Sequence, residues 1–386
     1  MLTNRALGMT FMVVLVLAAL AQAQTFTSIF SFDSPDGGYP ETGRLAIDRT
    51  TGTLYGTTSW GGSSRYDGVV FSITTTGVET TRYNFTGGSD GGGPSAPVIR
   101  DSQGNVYGTT GGGGCCGYGT VFKIDSAGNE TVLHSFSGGT SDGCSPWQGL
   151  VRDKEGDLYG TTAQCGASNF GTIFKIDTAG NFILLHSFAG WPSDGRYPYF
   201  GSMRIDKKGN LYGVTIGGGS SDEGTLYEYN SSGKFSLLHS FVLGPSHGCY
   251  PYGTPARDYK GNVYGTTNGC GTSGHGTVWK VSSSGKETIL HSFTPSLSDG
   301  ADPYGGVALD AKGNLYGLAE NGGAYGGGVL YEVSSSGRFK ILHSFDGSDG
   351  AYPYDDEVLT GVNGTLYGVT LEGGTYGVGT VWKYVP

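Results

Sequence analysis

Chemistry in this chain would have to come from its histidines, carboxylates and cysteines. Five of seven histidines, His134, His186, His239, His291 and His343, recur at one position of a long repeat. Tyr83 and Phe30 hold that position in two other units, so aromatic packing outweighs ligation as its role. His247 and His275 lie off it, and His247 stands where other units carry Asp. With Asp299 of the next unit they are the candidate catalytic residues, as an acid–base group or a small metal centre. Their spacing matches no strong metal motif, and no cofactor is predicted beyond that candidate metal ion.

Asp36, Asp90, Asp142, Asp194, Asp299 and Asp349 each precede a glycine near the start of an apolar segment. They could ring a cation, but near-universal repetition fits Asp side chains closing Asx-type turns better. Glu41, Glu320, Asp355, Asp356, Glu357 and Glu372 could supply an acid and a base for glycan cleavage at the same face. The string Gly112-x-Gly114-x-x-Gly117 matches a dinucleotide fingerprint, but it precedes a strand and no βαβ unit surrounds it.

Cys144 and Cys165 are 21 residues apart, as are Cys249 and Cys270, at matching places in two units. Two bridges, Cys144–Cys165 and Cys249–Cys270, are predicted. Cys115 and Cys116 are adjacent. Neighbouring Cα atoms lie about 3.8 Å apart, closer than the usual disulfide span of roughly 4.4–6.8 Å, so a bond between them would be strained. Free thiols or a metal-bound pair are the alternatives, and this pair alone prompts a quinone-cofactor reading.

Aromatics crowd the same loops. Trp147, Tyr199, Tyr252, Tyr304 and Tyr354 follow a repeated proline, and Trp60, Tyr66, Tyr118, Trp191, Tyr325 and Tyr376 lie in loops. Such surfaces stack on sugar rings or anchor protein partners. Trp60 and Trp191, outside the repeat pattern, lead as binding candidates, followed by Trp147, Tyr199 and Tyr252; the post-proline set is expected to pack between units.

The repeat itself must position these groups. Leu/Val-Tyr-Gly begins at Leu54, Val106, Leu158, Leu211, Val263, Leu315 and Leu366, and a glycine opens a second apolar phrase at Gly68, Gly119, Gly171, Gly224, Gly276, Gly328 and Gly379. Prolines at 40, 94, 146, 198, 251, 303 and 353 introduce a third. A fourth ends in Phe85, Phe136, Phe188, Phe241, Phe293 and Phe345, and its seventh copy is N-terminal, ending at Phe32. A fixed long period marks a repeat architecture. Four strands per unit, a to d, with strand d displaced to the N-terminus, predict an all-β seven-bladed β-propeller of four-stranded antiparallel blades. The first strand would complete the last blade and close the ring. The d–a and b–c loops then share one face, and they carry all six cysteines.

Phrases such as Gly313-Asn314-Leu315-Tyr316-Gly317, Gly119-Thr120-Val121-Phe122-Lys123 and Leu342-His343-Ser344-Phe345 make the chain resemble the GloVer tandem-repeat family of exported bacterial proteins. The run Pro303-Tyr304-Gly305-Gly306-Val307-Ala308-Leu309-Asp310 is also similar to the NHL-type propeller blade. The resemblance implies a propeller and export, and brings no catalytic residues with it.

Of 386 residues 73 are Gly and 14 Pro, in register with Val, Ile, Tyr and Phe runs, which reads as turns between strands. Only 23 Lys and Arg against a formal charge of −10, with no basic stripe, argue against nucleic acid. Arg5, the apolar run Met9 to Ala21 and Ala21-Gln22-Ala23 read as a signal peptide over 1–23, leaving 24–386 as one propeller domain with no membrane span. The expectation is an exported, non-enzymatic binding module with a glycan or protein ligand on the d–a/b–c face. The alternative is an extracellular polysaccharide lyase, hydrolase or metal-dependent enzyme using the histidines and carboxylates there.

Overall fold

The computed structural model describes residues 24–40, 44–63, 67–354 and 357–386. The segment read as a signal peptide, and Glu41, Tyr66, Asp355 and Asp356, lie outside them.

Seven four-stranded antiparallel sheets form the blades. Blade 3 is typical: strand a is Val151–Arg152, b Leu158–Thr162, c Thr172–Ile176 and d Phe182–Ser187. Blades 1, 2, 4, 5 and 6 begin their strand a at Ala46, Ile99, Arg204, Gly248 and Ala308. Blade 7 takes Leu359–Thr360, Leu366–Thr370 and Thr380–Val385 from the C-terminal end and Thr25–Ser31 from the N-terminal end. The closing pair runs from Thr25 opposite Val385 to Ser31 opposite Thr380, with a register shift between Ser28 and Phe30. The other six c–d pairs shift at the same place, as between Ile173 and Phe174 in blade 3, so the closing strand copies an ordinary strand d.

The local chemistry explains the repeat words. The Gly of Leu-Tyr-Gly makes room for the strand c aromatic: a Cβ on Gly160 would lie 2.5 Å from Phe174, and one on Gly265 2.4 Å from Trp279. The Gly that opens strand c faces the proline of the next blade. A Cβ on Gly276 would lie 2.7 Å from Pro303 Cδ, and one on Gly379 2.7 Å from Pro40 Cδ. Both glycines also have positive φ, 90° and 106°, where a side chain is strained. Glycine and proline therefore recur together because they touch across each joint, including the one that joins the chain ends.

The core lies between blades. Each phrase-ending Phe is almost fully buried and meets an aromatic on strand c of the following blade: Phe32 with Phe71, Phe136 with Phe174 and Phe241 with Trp279, ring centroids 5.0, 5.3 and 5.2 Å apart. Burying such a ring contributes about 1.5–3 kcal/mol, and an edge-to-face pair adds roughly 0.5–1.5 kcal/mol.

Candidate functional site

The loop face is built from d–a loops clipped to their neighbours. The residue before the repeated proline takes positive φ at Tyr39, Ser145, Tyr197, Tyr250, Asp302 and Tyr352, a conformation uncommon for non-glycine residues. Its N–H donates to the end of the preceding blade's b–c loop, as Tyr197 to Phe170 O at 2.9 Å and Asp302 to His275 O at 3.1 Å. Its carbonyl accepts from its own blade, as Tyr197 O from Ile216 N at 3.2 Å. Two bonds in opposite directions fix the proline and the aromatic that follows it.

Those aromatics meet around the axis. Trp147 stacks on Tyr199 with centroids 5.2 Å apart and an interplanar angle of 19°. Phe200 continues the series, 5.8 Å from Tyr199 and 6.0 Å from Tyr252. Tyr252 meets Tyr304 at 5.2 Å and Tyr304 meets Tyr354 at 4.7 Å. Phe200 also reaches Tyr354 at 6.3 Å, joining blade 4 to blade 7. All six rings are half-buried, so the belt keeps aromatic surface at the mouth of the axis. The post-proline residues pack against one another rather than inside the blade joints, which the phrase-ending phenylalanines fill. Phe200 went unnoticed in the sequence because it belongs to no repeated phrase.

The two leading binding candidates sit elsewhere on this face. Trp60 is 36% exposed and lies 5.9 Å from Tyr39. Trp191 is 62% exposed, and its indole N–H donates to Ser220 O at 3.3 Å.

His247, His275 and Asp299 do not converge. His247 Nδ1 is 2.9 Å from Glu287 Oε2, His275 Nδ1 is 3.3 Å from Asp302 Oδ1, and Asp299 Oδ1 is 2.9 Å from His291 Nε2. Among the described residues no group of three or more His, Cys, Asp or Glu is arranged to hold a metal ion. Four of the five repeated histidines, all but His239, instead bond the repeated aspartates, among them His134 to Asp142 at 3.1 Å, His186 to Asp194 at 3.0 Å and His343 to Asp349 at 2.7 Å. Their rings lie flat on the first aromatic of the next strand d: His134 on Phe182 at 4.1 Å, His186 on Phe235 at 3.9 Å, His291 on Phe339 at 3.7 Å. These aspartates also accept backbone N–H bonds, as Asp142 from Ser137 and Gly143. Although burial raises Asp142 and Asp299, their histidine and other hydrogen bonds hold both below the ordinary carboxylate range.

Glu357, grouped by sequence with the loop-face carboxylates, lies in the axial channel. It is 5% exposed and accepts from Arg204 Nη2 at 2.7 Å, with Arg44 Nη1 at 3.9 Å. A cavity of about 250 Å³ there is lined by strand-a residues down to Arg49 and Arg100, and by none of the aromatic belt. Glu320 is pushed up by burial and by Asp302 and Glu372.

Both bridges form, with Cα separations of 5.5 Å for Cys144–Cys165 and 5.4 Å for Cys249–Cys270. The first ties a d–a loop to the b–c loop beside it, and the second ties the start of blade 5's long strand a, Gly248–Arg257, to the end of its strand b, Val263–Cys270. Cys115 and Cys116 are free and exposed.

A family model for the Gloeobacter/Verrucomicrobia repeat matches residues 16–205 and 184–382. The chain belongs to the Gloeobacter/Verrucomicrobia repeat family. No curated protein matches it. In fold this family member is similar to the extracellular domain assigned to a hybrid two-component system of B. thetaiotaomicron, with TM-score 0.60 and 14% identity over 94% of this chain and 41% of that one. A second such domain from B. thetaiotaomicron gives TM-score 0.58 and 11% identity over 93% and 39%. A protein assigned as a 6-phosphogluconolactonase from Bacteroides uniformis gives 0.54 and 15% over 86% and 98%. The repeat-family chain thus spans about two fifths of the length of those two extracellular domains, and at these identities the likeness is one of fold. Among the described residues no helix is long and apolar enough to cross a membrane.

Proposed function

We propose that this chain is an exported binding module, one propeller domain over 24–386, whose loop face holds a glycan against the aromatic mouth of the axis. The observation that carries this reading is the unbroken series of rings from Trp147 through Tyr199, Phe200, Tyr252 and Tyr304 to Tyr354. Flat apolar faces suit the C–H surface of a sugar ring, while tyrosine hydroxyls and an indole N–H offer polar partners at the edges. The clipped d–a loops hold these rings in place before any ligand arrives, which lowers the ordering cost of binding.

Binding is favoured over turnover because the three leading acid–base candidates are each engaged by a partner of their own, His247 by Glu287, His275 by Asp302 and Asp299 by His291. Export is supported by the two disulfides, which persist in oxidising compartments, and by the signal-like start of the sequence. The two-component-system domains of similar fold are described as extracellular, in keeping with that compartment. A glycan array probed with the wild-type protein and with a Trp147→Ala/Tyr304→Ala variant tests the proposal. Selective binding by the wild type that the variant loses supports it; no glycan bound, or equal binding by both, overturns it.

A further inference from the structure

We propose that Cys115 and Cys116 form a reversible dithiol–disulfide couple at the loop face, which exchanges with small disulfides. The other four cysteines are bonded in two staples, and blade 2 has no equivalent staple. Where blade 3 has Cys144 bridging Gln164, blade 2 has Gly92 bridging Gly112. Where Cys165 has φ 63° and accepts from Gly171, Gly113 has φ 73° and accepts from Gly119. Cys115 and Cys116 come just after that position, so no cysteine of the d–a loop faces them. Each is the other's thiol partner: their sulfurs are 2.7 Å apart and both side chains are exposed.

The loop suits such a couple. Ser135 Oγ accepts the Cys115 N–H at 2.7 Å and fixes the first residue. Gly117, just after the pair, has φ 78° and open space around its Cα, which lets the following peptide turn. Because adjacent Cα atoms are closer than the usual disulfide span, the bond is strained and readily reduced again. Hydrogen bonding from Cys116, and then from Ser135, lowers the Cys115 thiol, while the same contact raises Cys116. Cys115 is therefore the attacking sulfur.

In the first step the Cys115 thiolate attacks one sulfur of the external disulfide. That S–S bond breaks, and the departing thiolate takes up the proton Cys115 has lost. Cys116 then gives up its proton and attacks the Cys115 sulfur of the mixed disulfide, releasing a second thiol. Two protein thiols are oxidised and one external disulfide is reduced to two thiols. The second step is intramolecular, so the mixed disulfide does not accumulate.

Intact protein equilibrated in glutathione/glutathione-disulfide buffers, alkylated and mapped by mass spectrometry, tests this. As the ratio becomes oxidising, the Cys115–Cys116 peptide should lose both alkylatable thiols and two hydrogens, as a monomer without a retained glutathione. Cys116→Ser should instead hold glutathione on residue 115, and Cys115→Ser should hold much less on residue 116. Thiols that stay alkylatable throughout, oxidation into a cross-linked dimer, or no adduct on Cys116→Ser would each overturn the proposal. Both substituted side chains are exposed, and a thermal melt matching the wild type shows that the fold is intact.

Discussion

His247 Nδ1 lies 2.9 Å from Glu287 Oε2, and Glu287 occupies the place that Phe182, Phe235, Phe339 and Phe26 hold on strand d of other blades. The joint between blades 4 and 5 thus inverts the usual arrangement. At four other joints an Asp from the d–a turn bonds the strand d histidine, which lies on a Phe of the next blade. Here the acid comes from the next blade, and histidines stand at both other points, with His239 Nε2 at 3.6 Å from Glu287. We expect His247→Ala to cost about 1–3 kcal/mol by leaving a buried carboxylate short of a partner. His247→Asp alone should cost more, because it sets a second carboxylate against Glu287. Combining it with Glu287→Phe should recover most of the loss by restoring the pattern of His186, Asp194 and Phe235. A double-mutant cycle by urea denaturation measures the coupling, and strictly additive changes would contradict it.

The two joints without a strand d histidine also carry a glutamate, Glu79 beside Phe30 and Glu130 beside Tyr83. Burial, followed by the charge of Asp36 on the first and Asp90 on the second, pushes each up to about 7. Glu130 Oε1 is buried without a hydrogen-bond partner. Between the unfolded value near 4.5 and the folded value near 7 the native state binds more protons, so this contribution falls as pH rises and levels off above. Thermal melts of wild type and a Glu79→Gln/Glu130→Gln variant across that window should converge at low pH and separate towards neutrality, the variant being the more stable there. A separation that grows towards acid instead would contradict the assignment.

Gly276 and Pro303 pack so closely that any side chain on the glycine meets the proline ring and the Thr267 carbonyl. Gly276→Ala should cost at least about 2 kcal/mol, combining left-handed strain with the clash. Gly274, at φ 79° with open space around it, isolates the strain, and Gly274→Ala should cost about 1–2 kcal/mol. Equal losses in chemical denaturation would show that the glycine–proline contact contributes nothing.

Most of the fold was legible because every blade repeats the same words and each word has a local cause. The displaced first phrase ending at Phe32 revealed ring closure, and the matched spacing of Cys144–Cys165 and Cys249–Cys270 revealed both bridges. The site was harder to read because its contacts cross from one unit to the next. The parallel pairing of His134 with Phe182, or the replacement of Phe by Glu287 beside His239 and His247, becomes visible only when one strand d is set against its neighbour. Glu357 looked like a loop-face acid because it follows the last repeated proline, yet the descent of strand a carries it into the channel beside Arg204. Phe200 has no counterpart in the other units, so no pattern could flag it as the ring that links Tyr199 and Tyr252 to Tyr354.

The most direct test takes the glycan bound best on the array and titrates it calorimetrically against wild type, Trp147→Ala, Tyr304→Ala and Trp191→Ala. A stacked ring lost from the centre of a site costs about 1.4 kcal/mol or more, a factor of roughly ten in Kd. We predict that weakening for Trp147→Ala and Tyr304→Ala, with Trp191→Ala within about twofold of wild type. Unchanged affinity in both belt variants, or a loss confined to Trp191→Ala, would contradict an axial aromatic binding site.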